Sequence, residues 1–141
     1  MNDWIAVEVI DCGHEALLEF LFGGDTDVAL DEQVRGGIVQ GIVAVLFEEC
    51  IYSDDANLLN GTMADYLVPM AAEMPDIVLD HVETPEASTR LGAKGIGEGG
   101  LIGAMGSVWV AVNDALKPLG AKIRHQPFTP ERILDALVRK T

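Results

Sequence analysis

The residues best suited to chemistry lie in a glycine-rich stretch, LGAKGIGEGGLIGAMG, at positions 91–106. Seven of these sixteen residues are glycine, and Glu98 is the only acid among them. Glycines keep side chains away from a loop, so that a bulky ligand can approach the backbone. Glu98 directly precedes a predicted helix, whose positive end favours an ionised carboxylate. A carboxylate with open space before it is suited to act as a general base.

Two other interpretations of the same stretch are open. In the first, the glycines serve only a tight turn with positive φ or close helix packing, and Glu98 points into water. In the second, residues 95–100 are the G-x-G-x-x-G string of dinucleotide-binding proteins. That string needs a strand running straight into its first glycine, whereas PEASTRLGAK intervenes here. Glu98 would also place a negative charge beside the pyrophosphate, so the sequence argues against such a site.

The rest of the chain predicts the elements that must position this loop. Alternating apolar residues predict strands at 3–11 and 75–84, two short strands around a turn at 54–57, and a last strand at 121–125. Helical spacing predicts helices at about 34–50, 100–116 and 129–140, with an ambiguous short helix before Gly23. The predicted fold is α+β: a single domain with a mixed or antiparallel sheet packed against about three to four helices.

Three glycines mark the start of the helix predicted at 34–50. Gly36, Gly37 and Gly41 lie within it or just before it. Glycine costs about 1 kcal/mol relative to alanine inside a helix. Three such costs predict that something packs very close to that end of the helix.

Charge and composition restrict the partners. The net charge of −14 argues against nucleic acid and anionic membranes. Residues 1–89 carry 19 acids and one base, whereas residues 90–141 carry four acids and eight bases. This asymmetry fits a solvated acidic face, or a C-terminal half that meets an anionic group. A hydrophobic fraction of 49% suggests that some surface serves a partner.

The sequence also bears on location and on metals. The longest apolar runs, 38–47 and 101–112, are shorter than the roughly 20 residues that span a bilayer, and the start lacks a basic region, so we expect a cytoplasmic location. Two cysteines do not form a disulfide framework. Cys12 and His14 resemble half a metal site, but His81 and His125 provide no second pair at ligand spacing. We therefore predict no metal held by these side chains.

Four motifs occur in order along the chain: QVRGGIVQG from Gln33, DYLVP from Asp65, GAKGIGE ending at Glu98, and TPER from Thr129. Together they resemble the C-terminal end of the molybdenum-binding large subunit of the molybdenum hydroxylases. This family includes xanthine dehydrogenases, aldehyde oxidoreductases and aerobic carbon monoxide dehydrogenases. The resemblance runs from about residue 33 to the end and is closest to the carbon monoxide dehydrogenase-like branch.

The resemblance implies a cofactor and roles for particular residues. Members of the family hydroxylate a carbon, or oxidise carbon monoxide, at a molybdenum held by a molybdopterin and not by protein side chains. In bacteria the cofactor is usually the cytosine dinucleotide form. Glu98 would be the catalytic base beside the metal, and Gln33 and Gly97 would contact the cofactor. For Gln33, a simple polar residue near a helix end is the alternative.

The resemblance also implies partners. The chain lacks a cysteine set for iron–sulfur clusters and a flavin motif, so electron transfer belongs to iron–sulfur and flavin subunits. With the remaining large-subunit portion also missing, we expect the chain to be inactive alone. Glu32 stands where the family pattern has glycine, and the segment 14–32 is longer than expected. These departures favour an alternative: a non-catalytic remnant of the family that serves as an assembly or interaction protein, including as a homo-oligomer.

Overall fold

The computed structural model describes residues 9–11, 26–90, 92 and 94–139. The elements in chain order are strand β1 (Val9–Asp11), helix α1 (Thr26–Leu46), strand β2 (His81–Glu83), helix α2 (Gly99–Leu116) and helix α3 (Pro130–Arg139). Single 3-10 turns lie at Ala71–Glu73 and Lys117–Leu119. The ambiguous short helix before residue 23 and the pair of Cys12 and His14 lie outside the described residues.

Where the sequence predicts a single domain, the described residues divide into two compact units. The first unit comprises the described residues up to Gln40 together with Pro75–Ala104. The second comprises Gly41–Met74 together with the described residues from Met105 onwards. The predicted site residues all belong to the first unit.

The described sheet is smaller than the predicted one. Strands β1 and β2 pair in parallel, with Val9 opposite His81. A purely antiparallel sheet is therefore wrong, whereas a mixed sheet stays a prediction. Within the described residues, His81–Glu83 of the segment predicted as a strand at 75–84 pair with β1, and the carbonyl of Ile77 accepts a hydrogen bond from the Arg35 side chain. The three described α-helices agree with the three to four predicted.

Helix α1 is longer than predicted at its N-terminal end. It begins at Thr26, whereas the apolar spacing predicts a start near Val34. Most of its buried side chains recur every three or four positions, which is the spacing of one helix face: Leu30, Val34, Ile38, Ile42 and Val45, with Val43 buried beside them. The periodicity that predicts the helix therefore also identifies the face that packs.

The close packing predicted from glycines occurs in the first unit, between α1 and the first turn of α2. A Cβ added to Gly37 would lie 3.1 Å from the backbone nitrogen of Leu101. A Cβ added to Gly100 would overlap the carbonyl oxygen of Val34. The two backbones therefore meet without side chains between them. A Cβ on Gly36 would meet nothing within 4 Å, so the prediction holds for Gly37 and fails for Gly36.

The core of the second unit forms around Phe128. Its backbone N–H donates to the carbonyl of Val45 at 2.6 Å, and its ring packs tilted against Trp109 with centroids 4.6 Å apart. The strand predicted at 121–125 is absent from this part of the described chain. The N–H of Ile123 donates to Oδ1 of Asn113 at 2.9 Å, so a side chain takes the bond that a neighbouring strand would have made.

Helix α3 forms as predicted. Pro130 is its first residue, and the hydroxyl of Thr129 accepts a hydrogen bond from the N–H of Arg132 at 3.4 Å. Hydrogen bonds from the backbone N–H of Glu131 and from the Thr129 hydroxyl lower the pKa of the Glu131 carboxyl. Arg139 pairs with Asp135 in the last turn, at 3.1 Å. The Thr129 contact therefore caps the N-terminal end of the helix, and the ion pair lies on its last turn.

Helix α2 and the following 3-10 turn form a long apolar segment. Residues Gly99–Leu119 have a mean hydropathy of 1.2 over 18 residues, and 22% of that window is buried. This 21-residue segment is long and apolar enough to cross a membrane, so the expectation that the apolar run is too short does not hold for it. Core helices of soluble proteins satisfy the same criterion, and length and composition alone decide nothing further.

Candidate functional site

Glu98 lies at the junction between the glycine loop and α2. Its carbonyl accepts the N–H of Leu101 at 3.1 Å, and Glu98 immediately precedes the first residue of the helix, Gly99. The neighbouring N–H of Gly99 donates to Ile96, whose buried side chain anchors the loop. The side chain of Glu98 is exposed, and within the described residues its carboxylate has no hydrogen bond or ion pair. The base predicted from the sequence is thus fixed by its backbone and accessible at its carboxylate.

Gln33 is brought to this loop across 64 positions of sequence. Its side-chain Nε2 donates to the carbonyl of Gly97 at 2.9 Å. Gln33 lies on α1, and Gly97 immediately precedes Glu98. The structure therefore places the three predicted site residues together. Gln33 lies in the interior of α1 and not at its end, and its role toward a cofactor stays a prediction.

The glycines of the loop serve different purposes. Gly92 has a positive φ of 70°, and Gly100 permits the contact between helices, so these two satisfy the purely structural explanation. Gly95 and Gly97 do neither. Their φ angles are not positive, and a Cβ on either would meet nothing within 4 Å in the described structure. The backbone on either side of Ile96 therefore faces open space beside Glu98.

Side chains of α1 attach the surrounding segments to the helix. Asp31 Oδ1 lies 2.6 Å from Nε2 of His81, the first residue of β2. Arg35 donates to the carbonyl of Ile77 at 2.8 Å. With Gln33, three residues within about one turn of α1 hold two segments of the first unit, residues 77–81 and the glycine loop. Asp31 and Arg35 are not identifiable from the sequence, because nothing in their spacing points to partners more than 40 positions away.

Glu32, the acid that departs from the family pattern, forms an ion pair with Arg35. Glu32 lies 3.4 Å from Nε of Arg35, in an i,i+3 pair on the helix surface. Arg35 is the single base among residues 1–89. The Glu32 side chain keeps 66% of its surface exposed, so it is not forced toward the loop. The departure therefore does not place an unpaired charge beside Gln33.

The connection into the loop is fixed by local hydrogen bonds. The N–H of Glu86 donates to the carbonyl of Gly92 at 2.9 Å, which closes the turn before the loop. Hydrogen bonds from the backbone and side chain of Ser88, with a smaller contribution from the charge of Lys94, lower the pKa of the Glu86 carboxyl. Lys94 also donates to the hydroxyl of Thr84 at 2.9 Å. The loop thus starts from an ordered turn.

Two further features lie apart from these residues. Within the described ranges, no group of three or more His, Cys, Asp and Glu side chains could hold a metal ion. An open cavity of about 560 Å³ lies in the second unit and is lined by Trp109, Val110, Asn113, Asp114, Lys117, Gly120, Ala121 and Lys122. None of the predicted site residues lines this cavity.

Replacing Gln33 with alanine tests whether its side chain holds the loop. We expect Gln33→Ala to lower the free energy of unfolding by about 0.5–1.5 kcal/mol, the usual net contribution of one hydrogen bond. Amide exchange at Gly99 and Leu101 should accelerate, since the bond to Gly97 no longer restrains the loop. Gln40→Ala, an exposed position on the same helix, is the matched control and should change neither quantity. Equal exchange rates in the two variants would show that Gln33 does not hold the loop.

Comparison of this chain with known proteins identifies its family. Residues 27–75 match the molybdopterin cofactor-binding domain. The nicotine 6-hydroxylase large subunit of Paenarthrobacter nicotinovorans is 43% identical over 107 residues, which cover 76% of this chain and 13% of that subunit. The quinoline 2-oxidoreductase of Pseudomonas putida 86 superposes with a TM-score of 0.78 at 42% identity, over 82% of this chain and 15% of that one. The chain belongs to the molybdenum hydroxylase large-subunit family.

Other members of the family are similar over the same extent. The carbon monoxide dehydrogenase large chain of Hydrogenophaga pseudoflava is 31% identical over 108 residues, which cover 77% of this chain and 13% of that one. The chain therefore spans about an eighth of the length of the large subunits that it matches. The matched domain at 27–75 includes Gln33 and ends before the glycine loop. The resemblance inferred from the four motifs is confirmed at the level of the family.

Proposed function

We propose that this chain is the C-terminal, molybdopterin-binding part of a molybdenum hydroxylase large subunit, and that Glu98 is its catalytic base. It acts only in complex with the remaining large-subunit portion and with iron–sulfur and flavin subunits, in the cytoplasm. The observation that carries the proposal is the hydrogen bond from Gln33 to Gly97. This bond fixes an exposed carboxylate next to a stretch of backbone that faces open space.

The residues of this site fit a molybdopterin. The space in front of Gly95 and Gly97 admits a bulky group close to the backbone, which a side chain at either position would reduce. The Gln33 amide keeps its carbonyl oxygen available, since its bond to Gly97 uses the nitrogen. Gln33 and the backbone of Gly97 would hold the cofactor, most simply in its cytosine dinucleotide form. When bound, the cofactor supplies the molybdenum centre at which the substrate is oxidised.

Glu98 would contribute proton transfer. Its carboxylate is accessible and unpaired in the described structure, so it is free to accept a proton from a group placed before the loop. The backbone at Glu98 is held by hydrogen bonds from Leu101 and Ile102 to its carbonyl. General bases act most effectively where water is excluded. The exposed side chains of Gln33 and Glu98 therefore need the remainder of the large subunit to enclose them.

The test is complementation. The chain is expressed alone, and with a large-subunit portion that lacks this segment together with the iron–sulfur and flavin subunits, in a molybdenum-replete host. We expect neither pterin nor molybdenum in the chain purified alone, and both, with turnover, in the complex. Pterin is measured by fluorescence after oxidation, and molybdenum by elemental analysis. Absence of both from an assembled complex would overturn the proposal.

A second candidate is a non-catalytic member of the family that serves as an assembly or interaction protein. Exposed apolar side chains concentrated in residues 51–70 favour this alternative. In that case the chain would assemble with partners, or with itself, and pterin and molybdenum would be missing from every complex. The same complementation experiment therefore separates the two candidates.

A further inference from the structure

Residues 51–70, here called the apolar arm, expose an unusual amount of apolar surface. Of the fifteen large hydrophobic side chains that are exposed in the described structure, eight lie in these twenty residues: Ile51, Tyr52, Leu58, Leu59, Met63, Leu67, Val68 and Met70. Met63 is 77% exposed and Leu59 is 60% exposed. Contiguous exposed apolar surface in a soluble protein indicates an interaction site.

Hydrogen bonds hold the arm in this conformation. Asn60 is the single buried polar side chain of the described residues, at 8% exposure. Its Oδ1 accepts the N–H of Ile51 at 2.8 Å, and its Nδ2 donates to the carbonyl of Glu49 at 2.5 Å. Tyr52 and Leu58 form an antiparallel bridge around the intervening turn. The first half of the arm is therefore closed onto itself by its backbone.

The second half of the arm is ordered in the same way. The hydroxyl of Thr62 donates to Asp65 at 2.8 Å, and the N–H of Tyr66 donates to the carbonyl of Thr62. The carboxylate of Glu73 accepts the N–H of Met70 at 2.7 Å. These bonds restrain the backbone at residues 62–66 and 70–73, and the apolar side chains of the arm are exposed. A surface ordered before binding loses less conformational entropy when a partner covers it.

The charges around the arm indicate the chemistry of its partner. Residues 51–74 carry four acids, Asp54, Asp55, Asp65 and Glu73, and no base. Asp65 accepts a hydrogen bond from the Thr62 hydroxyl and Glu73 accepts one from the N–H of Met70, and neither forms an ion pair within the described residues. A complementary surface would be apolar with basic residues at its border.

We infer that the apolar arm is the docking surface for the remaining portion of the large subunit. The family match at 27–75 contains the whole arm, so the relatives carry this segment within chains of which it occupies a small part. This chain covers 13% of such a relative, so most of the large subunit is available to cover the arm. The inference rests on the proposed function and names the surface through which the proposed complex assembles.

The test uses co-expression of the tagged full chain with the nicotine 6-hydroxylase large subunit from which the segment matching this chain is deleted. Leu59→Asp, Met63→Asp and Leu67→Asp each place a charge on the arm at a side chain that is at least 59% exposed. We expect each substitution to weaken the complex at least about 10-fold, as for a central interface residue. Circular dichroism of each variant, purified alone, checks that it folds.

Val78→Asp is the matched control, because Val78 is 59% exposed but lies outside the arm. It should leave the affinity within about 2-fold of the wild type. Retention of the partner by all three arm variants, or failure of the wild-type chain to retain it, would overturn the inference. The inference would also be overturned if the arm substitutions abolished self-association of the chain in sedimentation but left binding of the partner unchanged. An arm-dependent complex that lacks pterin would instead refute the proposed function and leave the docking surface intact.

Discussion

Glu98→Gln in the complemented enzyme should lower turnover by about 10²–10⁴-fold while pterin and molybdenum content stay unchanged. Glutamine preserves the shape of the side chain but cannot accept a proton. The backbone bonds that place residue 98, from Leu101 to its carbonyl and from Gly99 to Ile96, do not involve the carboxylate. The substitution therefore removes the proposed base without disturbing the loop or the bond between Gln33 and Gly97.

The matched control for this variant is Glu131→Gln. Glu131 is also an exposed glutamate at the start of a helix, in the first turn of α3. Its carboxyl is engaged with its own backbone N–H and with Thr129, whereas the carboxylate of Glu98 has no partner in the described structure. Glu131→Gln should leave turnover within about 2-fold of the wild type. Full turnover in Glu98→Gln would exclude Glu98 as the base, whatever the cofactor content.

The difference between Gly95 and Gly100 explains why one loop contains so many glycines. Gly100 has no room for a Cβ, since α1 passes directly against it, whereas Gly95 has room to spare. One glycine is required by packing, and the other borders space that the described residues leave open. The sequence does not distinguish the two positions, because both are glycine. The structure separates a packing requirement from a position that a ligand would need.

The candidate site residues could be chosen from the sequence, whereas the contact that joins two of them could not. Glu98 and Gln33 belong to short sequence motifs, and such motifs are recognised from residues that are adjacent in the sequence. The hydrogen bond that joins Gln33 to Gly97 crosses 64 positions, and no spacing rule identifies it. Helix ends with local signals were also well predicted: α3 begins with Pro130 after the Thr129 cap.

At both segments whose predicted strands are absent or short in the described residues, a side chain from a helix bonds a backbone group. Asn113 accepts the N–H of Ile123 in the segment predicted as a strand at 121–125. Arg35 donates to the carbonyl of Ile77 in the segment predicted as a strand at 75–84. Alternating apolar residues predict extended backbone in both places, but pairing depends on which partner is near. That partner is set by tertiary structure.

Gly100→Ala should lower the free energy of unfolding by about 1–3 kcal/mol, because overpacking a close contact forces the backbone to shift. A Cβ at this position would overlap the carbonyl oxygen of Val34 and lie 3.2 Å from the backbone nitrogen of Ile38. Both atoms belong to the backbone of α1, so no flexible side chain can move aside. Urea denaturation of the purified chain measures the change.

Gly106→Ala is the matched control, since it makes the same substitution in the same helix. A Cβ there would meet nothing within 4 Å, so alanine should raise stability by up to about 1 kcal/mol through its higher helix propensity. If Gly100→Ala lowers the free energy of unfolding and Gly106→Ala raises it, the difference is due to packing at Gly100 and not to helix propensity. Stabilisation by both would mean that α1 and α2 do not meet at Gly100. Because Gly100 lies two residues after Glu98, the contact that Gly100→Ala disrupts is also the one that sets where the proposed base stands.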